Sequence, residues 1–245
     1  MNNTIESIEY RGFNINIYPD DSPEDPREWD NIGIMACSHP NYILGDKDYS
    51  NTTSGGCGGE EVLEAILADV VKNPGGIVEA WGRQAVDKTV EIVEKCGGVI
   101  MPLFLLDHSG LWMSTGKYSC DPGGWDTSHV GFIFCTAARI KEEYGEGAEA
   151  VEKARRYLIG EVETYCQWLS GSVYGYSIEP KDTNKGIKCD DSCWGFYGYE
   201  WDKNGLLDHA KPSIDYEIEQ YKEGVKLEKA RQVQMAKFMR SCWAY

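Results

Sequence analysis

The chain has 245 residues and a formal charge of −16, from 40 Asp and Glu against 24 Lys and Arg. Its 42% hydrophobic content is enough for a core and excludes wholesale disorder. No apolar run approaches the roughly 20 residues of a bilayer-spanning helix, and no basic cluster of the kind duplex binding requires is present.

In chain order, Phe13, Ile15 and Ile17 alternate with Asn14 and Asn16, the period-2 pattern of a half-buried strand within residues 5–18. Residues 19–30 follow with three prolines and six acids, which predicts an exposed loop. A short strand over 32–37 and a loop of turn formers over 45–59 come next. Two helices are expected over 60–73 and 77–96, the first stopping at Pro74 and the second at Gly97 and Gly98. Residues 99–106 and 111–114 predict a hairpin closed by Asp107-His-Ser-Gly110, whose Asp and Gly suit a tight turn. A strand over 129–135, a helical start over 139–144 and a helix over 147–169 follow. Residues 172–179 and 193–199 are expected to pair through the turn 182–186. The last helix is expected over 214–240, with a bend near Gly224, because Ile214, Ile218, Tyr221 and Val225 are out of phase with Leu227, Met235 and Phe238. The fold class is therefore α+β: a mixed or antiparallel sheet with hairpins, packed against several helices, with a long C-terminal helix. One domain over 1–205 and a helical extension over 206–245 are expected.

Charge is uneven: residues 1–60 hold eleven acids against Arg11, Arg27 and Lys47. Asp20, Asp21, Glu24 and Asp25 form the densest exposed group, suited to steering toward a basic protein surface. The basic residues of the last helix follow acids earlier in it, the order the helix dipole favours, and predict a solvated helix. Nine cysteines, an odd set without a secretory leader, predict reduced thiols. Cys189 and Cys193 have chelating proximity, but the other pair of a zinc site would have to come from afar, from Cys37 and His39. An ordinary turn is expected there instead, with no metal and no cofactor.

The glycine-rich run 54–59 is followed by Glu60 and Glu61 rather than by the Lys of a phosphate cradle. The segment from Asp46 to Cys57 lacks the glycine and the final Glu of a calcium loop. Asp107 and His108 occupy one turn, and Asp126 and His129 flank another glycine-rich one. Should the turns meet, these four would form a His/Asp cluster for acid–base or metal chemistry. Trp194, Tyr197 and Tyr199 lie in an aromatic-rich stretch where alternation forces some rings outward, a candidate binding surface.

Glu9-Tyr-Arg-Gly-Phe13, Pro26-Arg-Glu-Trp-Asp30 with Asn31, Leu106-Asp-His-Ser-Gly110, the run 124–133 and Val173-Tyr-Gly-Tyr176 together resemble an uncharacterised family of proteins carried by bacteriophages, plasmids and archaeal mobile elements. The resemblance spans most of residues 9–200 and implies context rather than an activity. The expected function is that of an acidic accessory protein in the host cytoplasm that binds and inhibits a host defence or nucleic-acid-handling complex through a basic surface. The alternative is a hydrolase or nuclease using Asp107, His108, Asp126 and His129.

Overall fold

The computed structural model describes residues 4–48, 60–68, 70–181 and 186–242. The chain divides into two compact units, one made of residues 1–23 and 172–245, the other of 24–171. The second unit is thus inserted in the sequence of the first. This division differs from the boundary at 205 expected from sequence.

The outer unit holds β1 (Glu6–Tyr10), β2 (Phe13–Pro19), β8 (Val173–Pro180) and β9 (Ser192–Tyr197) in one antiparallel sheet of that order. β1 and β2 join through a two-residue turn in which Arg11 and Gly12 both have positive φ, 49° and 81°. That is the primed turn whose twist matches a hairpin. Phe13, Ile15 and Ile17 pack with Tyr176, Ile178 and the start of α6 (Leu206–Cys242) through Leu206, Leu207, Ala210, Ile214 and Ile218. Burying each Leu or Ile stabilises by roughly 1.5–3 kcal/mol. The helix begins eight residues earlier than expected and runs through Gly224 without interruption. The phase change near Gly224 falls where burial in this core ends: beyond Ile218 no described side chain of α6 is buried.

In the inserted unit, the order is β4 (Lys47–Asp48), β3 (Ile34–Cys37), β7 (Thr127–Cys135), β5 (Val99–Asp107), β6 (Leu111–Ser114), parallel only at β3–β4. Alternation sends successive residues to two helical layers. Met35, Met101, Leu103 and Ile133 meet Leu158, Val162 and Tyr165 of α5 (Ala148–Leu169). Ala36, Ile100, Phe132 and Phe134 meet Leu63, Ile66, Val78 and Val93 of α1 (Glu60–Leu67), α2 (Pro74–Trp81) and α3 (Ala85–Lys95). α4 (Ala137–Tyr144), N-capped by the Thr136 hydroxyl, adds Ile140 to the first layer. Gly131 lies at φ 149°, where a Cβ would sit 2.0 Å from the Ala36 carbonyl oxygen, so only glycine fits between β3 and β7.

The hairpin over 99–114 forms as expected. The helix expected over 77–96 is broken at Gly82, which takes φ 50° and starts a 3-10 turn. The helix expected over 60–73 stops at Leu67, and Pro74 opens the next one as a first-turn proline. The loop expected over 45–59 is anchored at its start, where β4 pairs with β3. Residues 49–59, with the glycine-rich run and Cys57, and residues 182–185 of the expected turn lie outside the described residues. Among the described residues, no helix is long and apolar enough to cross a membrane.

Candidate functional site

The two His/Asp turns do meet. Leu106 pairs with Thr127 and the Asp107 amide donates to the Asp126 carbonyl at 2.9 Å, so the hairpin tip lies against the turn that precedes β7. His108 Nδ1 then stands 2.8 Å from Asp126 Oδ2, with the two side chains 71% and 45% exposed. Tyr42 donates its hydroxyl to Asp107 Oδ2 at 2.8 Å, which with partial burial raises the Tyr42 pKa. His39 stacks on Tyr42 with ring centroids 4.8 Å apart. Burial lowers the His39 pKa against the pull of Asp107. Asp121 fixes the second turn by accepting the amides of Trp125, Asp126 and Thr127. Those bonds outweigh desolvation and lower its pKa. Asp126 thereby orients an imidazole whose other nitrogen can exchange protons with solvent.

His129 does not join the cluster. Leu103 lies opposite Gly131 but Phe104 opposite His129, so Val130 is an extra residue that reverses the alternation. The His129 ring is placed with Phe104 and Phe132, at 5.2 and 4.9 Å, and its Nε2 is buried without a hydrogen-bond partner. Burial lowers its pKa, against a hydrogen bond to the Gly131 backbone. It lines a separate cavity of about 320 Å3 with Lys117, Asp121 and Thr127. Among the described residues no three His, Cys, Asp or Glu side chains are placed to hold a metal. Cys37, Cys96, Cys120, Cys135, Cys166, Cys189 and Cys193 are free, with Cys37, Cys135 and Cys189 buried.

The expected acidic surface is split between the units: Asp20 and Asp21 belong to the outer one, Glu24 and Asp25 to the inserted one. Asp20 accepts the amides of Ser22 and Gly195, and Asp25 caps the 3-10 turn Pro26–Glu28 through the Arg27 amide. Asp21 and Glu24 are exposed. The segment expected to be an exposed loop is therefore partly a structural element, with Pro26 buried. Of the aromatic group, Trp194 is 44% and Tyr199 73% exposed, while Tyr197 is half-buried. Trp194 lies over Gly175, where a Cβ would come within 2.2 Å of the indole.

A feature that the sequence did not reveal is a groove of about 570 Å3 along α5. Lys153, Arg156, Tyr157, Gly160, Glu161 and Thr164 recur at three- and four-residue spacing, which puts them on one helical face. Pro26, Trp29 and Asn31 form the opposite wall. Beneath it lies Arg27, its side chain only 4% exposed. Its guanidinium donates to both Asp46 oxygens at 2.8 and 2.7 Å, to Glu161 Oε2 at 3.0 Å and to the Gly33 carbonyl at 2.7 Å. Glu161 Oε1 accepts the Ile32 and Gly33 amides, and Asp46 the Met35 amide. The Pro26-Arg27-Glu28-Trp29 string was the available signal, but Arg27's partners are 19 and 134 residues away.

Comparison with family models, with curated proteins and with solved structures returns no match to this chain.

Proposed function

We propose that the protein is a binding factor, an accessory protein of the mobile-element type that acts by docking on a host protein and inhibiting it. The observation that carries this is the distal part of α6. From Glu219 to Arg240 every side chain but Val225 is exposed, yet Leu227, Val233, Met235, Phe238 and Met239 are 51–72% exposed. Apolar side chains in such number on a helix suit insertion into a partner's groove. Six basic residues (Lys222, Lys226, Lys229, Arg231, Lys237 and Arg240) accompany them against Glu219, Glu223 and Glu228. The fitting partner is an apolar groove with a carboxylate rim, and two such helices side by side would repel. In the acidic loop Asp20 and Asp25 hold hydrogen bonds to backbone amides, and the group of four carboxylates includes no apolar side chain. It serves in steering, toward basic patches beyond the groove.

A photo-crosslinking residue at Met235 should capture one host protein, in a yield that falls with salt, whereas the same group at Lys222, on the charged side, should capture none. Equal capture from both positions, or none from either, overturns the reading. So does a dimer in light scattering that Leu227→Glu dissolves, or binding to anionic vesicles.

The 2.8 Å His108–Asp126 pair supports a second reading, a hydrolase or nuclease. It requires the parent to cleave a nucleic acid or an activated phosphodiester such as bis(4-nitrophenyl) phosphate, and His108→Ala to abolish the cleavage. A parent without either activity removes it.

A further inference from the structure

We infer that the groove along α5 is a binding site for a nucleoside monophosphate-sized ligand: a planar aromatic ring carrying an anionic group. The groove's volume of about 570 Å3 lies inside the range of roughly 300–1,000 Å3 in which small-molecule pockets fall. Two large aromatic side chains line it while remaining open to solvent, Trp29 at 44% and Tyr157 at 52% exposed. Tyr157 is already stacked on Tyr144, with centroids 5.3 Å apart, so its ring is held in place. Exposed rings are what a base stacks on.

The anionic half of the ligand follows from charge. In a chain of net charge −16, this groove carries two cations, Lys153 and Arg156, and neither makes an ion pair among the described residues. Lys153 instead lies over the Tyr144 ring at 4.6 Å and the Tyr157 ring at 6.0 Å, beside the place where a base would stack. The one carboxylate in the groove faces Arg27 rather than standing unpaired. Glu161 has both oxygens committed, to the Ile32 and Gly33 amides and to Arg27. Asp30, next to the groove wall, is paired with Arg139 at 3.1 Å. Asn31 spends its amide nitrogen on the carbonyls of Pro26 and Trp29, which leaves its side-chain oxygen to accept from a ring N–H or exocyclic amine. At Gly160 a Cβ would meet nothing within 4 Å, so the floor of the groove is open because this helical position lacks a side chain.

That glycine supplies the decisive test. Gly160→Leu fills the groove and replaces a poor helix former by a good one, so the variant should fold at least as well as the parent. Calorimetric titration of the full chain with AMP, GMP, CMP and UMP should show binding that Gly160→Leu abolishes with its thermal midpoint unchanged or raised. Arg156→Ala and Lys153→Ala should each weaken binding by about tenfold, the usual scale for losing a charge-assisted contact. Trp29→Leu should weaken nucleoside and nucleotide alike, also by about tenfold. Inorganic phosphate alone and adenosine alone should both bind more weakly than AMP. The inference is overturned if phosphate binds as tightly as AMP, if Gly160→Leu binds like the parent, or if no mononucleotide binds. Binding of oligonucleotides without mononucleotides would make the groove a strand site and overturn it equally. None of these outcomes depends on α6, so they leave the docking reading to its own test.

Discussion

Two ionic clusters of the inserted unit, both built from strings conspicuous in the sequence, have opposite characters. Around Arg27 the guanidinium is buried and every charge is multiply bonded: guanidinium, two carboxylates and four backbone groups account for one another. At the hairpin tip, His108 and Asp126 share a single contact in the open. The first cluster ties the 26–33 segment to α5 and to Asp46, and so shapes a groove that it does not itself line except through Glu161. The second ties little and is free to change partner. Burial and completeness, more than residue type, separate a charged group that holds the fold from one available for chemistry.

The comparison can be broken most forcefully at Arg27. Arg27→Leu leaves the mostly buried Glu161 and the half-buried Asp46 without their shared cation and should cost about 3–5 kcal/mol of unfolding free energy in urea titration. A loss below about 1 kcal/mol would put this cluster in the same class as the surface pair. Glu161→Gln keeps an acceptor for the Ile32 and Gly33 amides but removes one charge from Arg27, and should cost less, about 1–3 kcal/mol. His129 provides an intermediate case. Its pKa is lowered by burial, so the unfolded chain binds the proton more readily than the native one. Its contribution to stability is present above the ordinary histidine range and is lost as the pH falls through the lowered value. His129→Phe should therefore flatten the decline in stability below about pH 6.5, measured as thermal midpoint against pH. His108→Ala should change stability least, within about 1 kcal/mol at any pH.

The hairpin over 99–114 was legible because it follows from local rules, two apolar runs about a turn former, whereas the meeting of the two turns stood only as a condition, because it depends on the pairing of β5 with β7. The exclusion of His129 was not legible, because the extra residue at Val130 reverses its face, and a single Gly131 is only a weak sign of a bulge. Gly82 likewise ended a helix whose apolar stripe runs on past it. The groove was invisible because its walls come from residues 26–31 and 153–164, and nothing in either stretch declares the other. Arg27 counted as one of three bases in an acidic region, and its burial emerges only once Asp46 and Glu161 are brought to it.

The insertion of residues 24–171 between two paired strands carries a consequence for assembly of the sheet. Tyr18 pairs with Gly175 and Pro19 with Tyr174, while the Asp20 amide reaches the Val173 carbonyl at 2.8 Å, so the chain leaves this sheet and returns to it at neighbouring points. Were the intervening residues unfolded, bringing β2 to β8 would mean closing a very long loop, an entropic cost of about 4 kcal/mol beyond the constant for any closure. Once the insert has folded, its own compactness does most of that closing, and the strands meet as if joined by a short link.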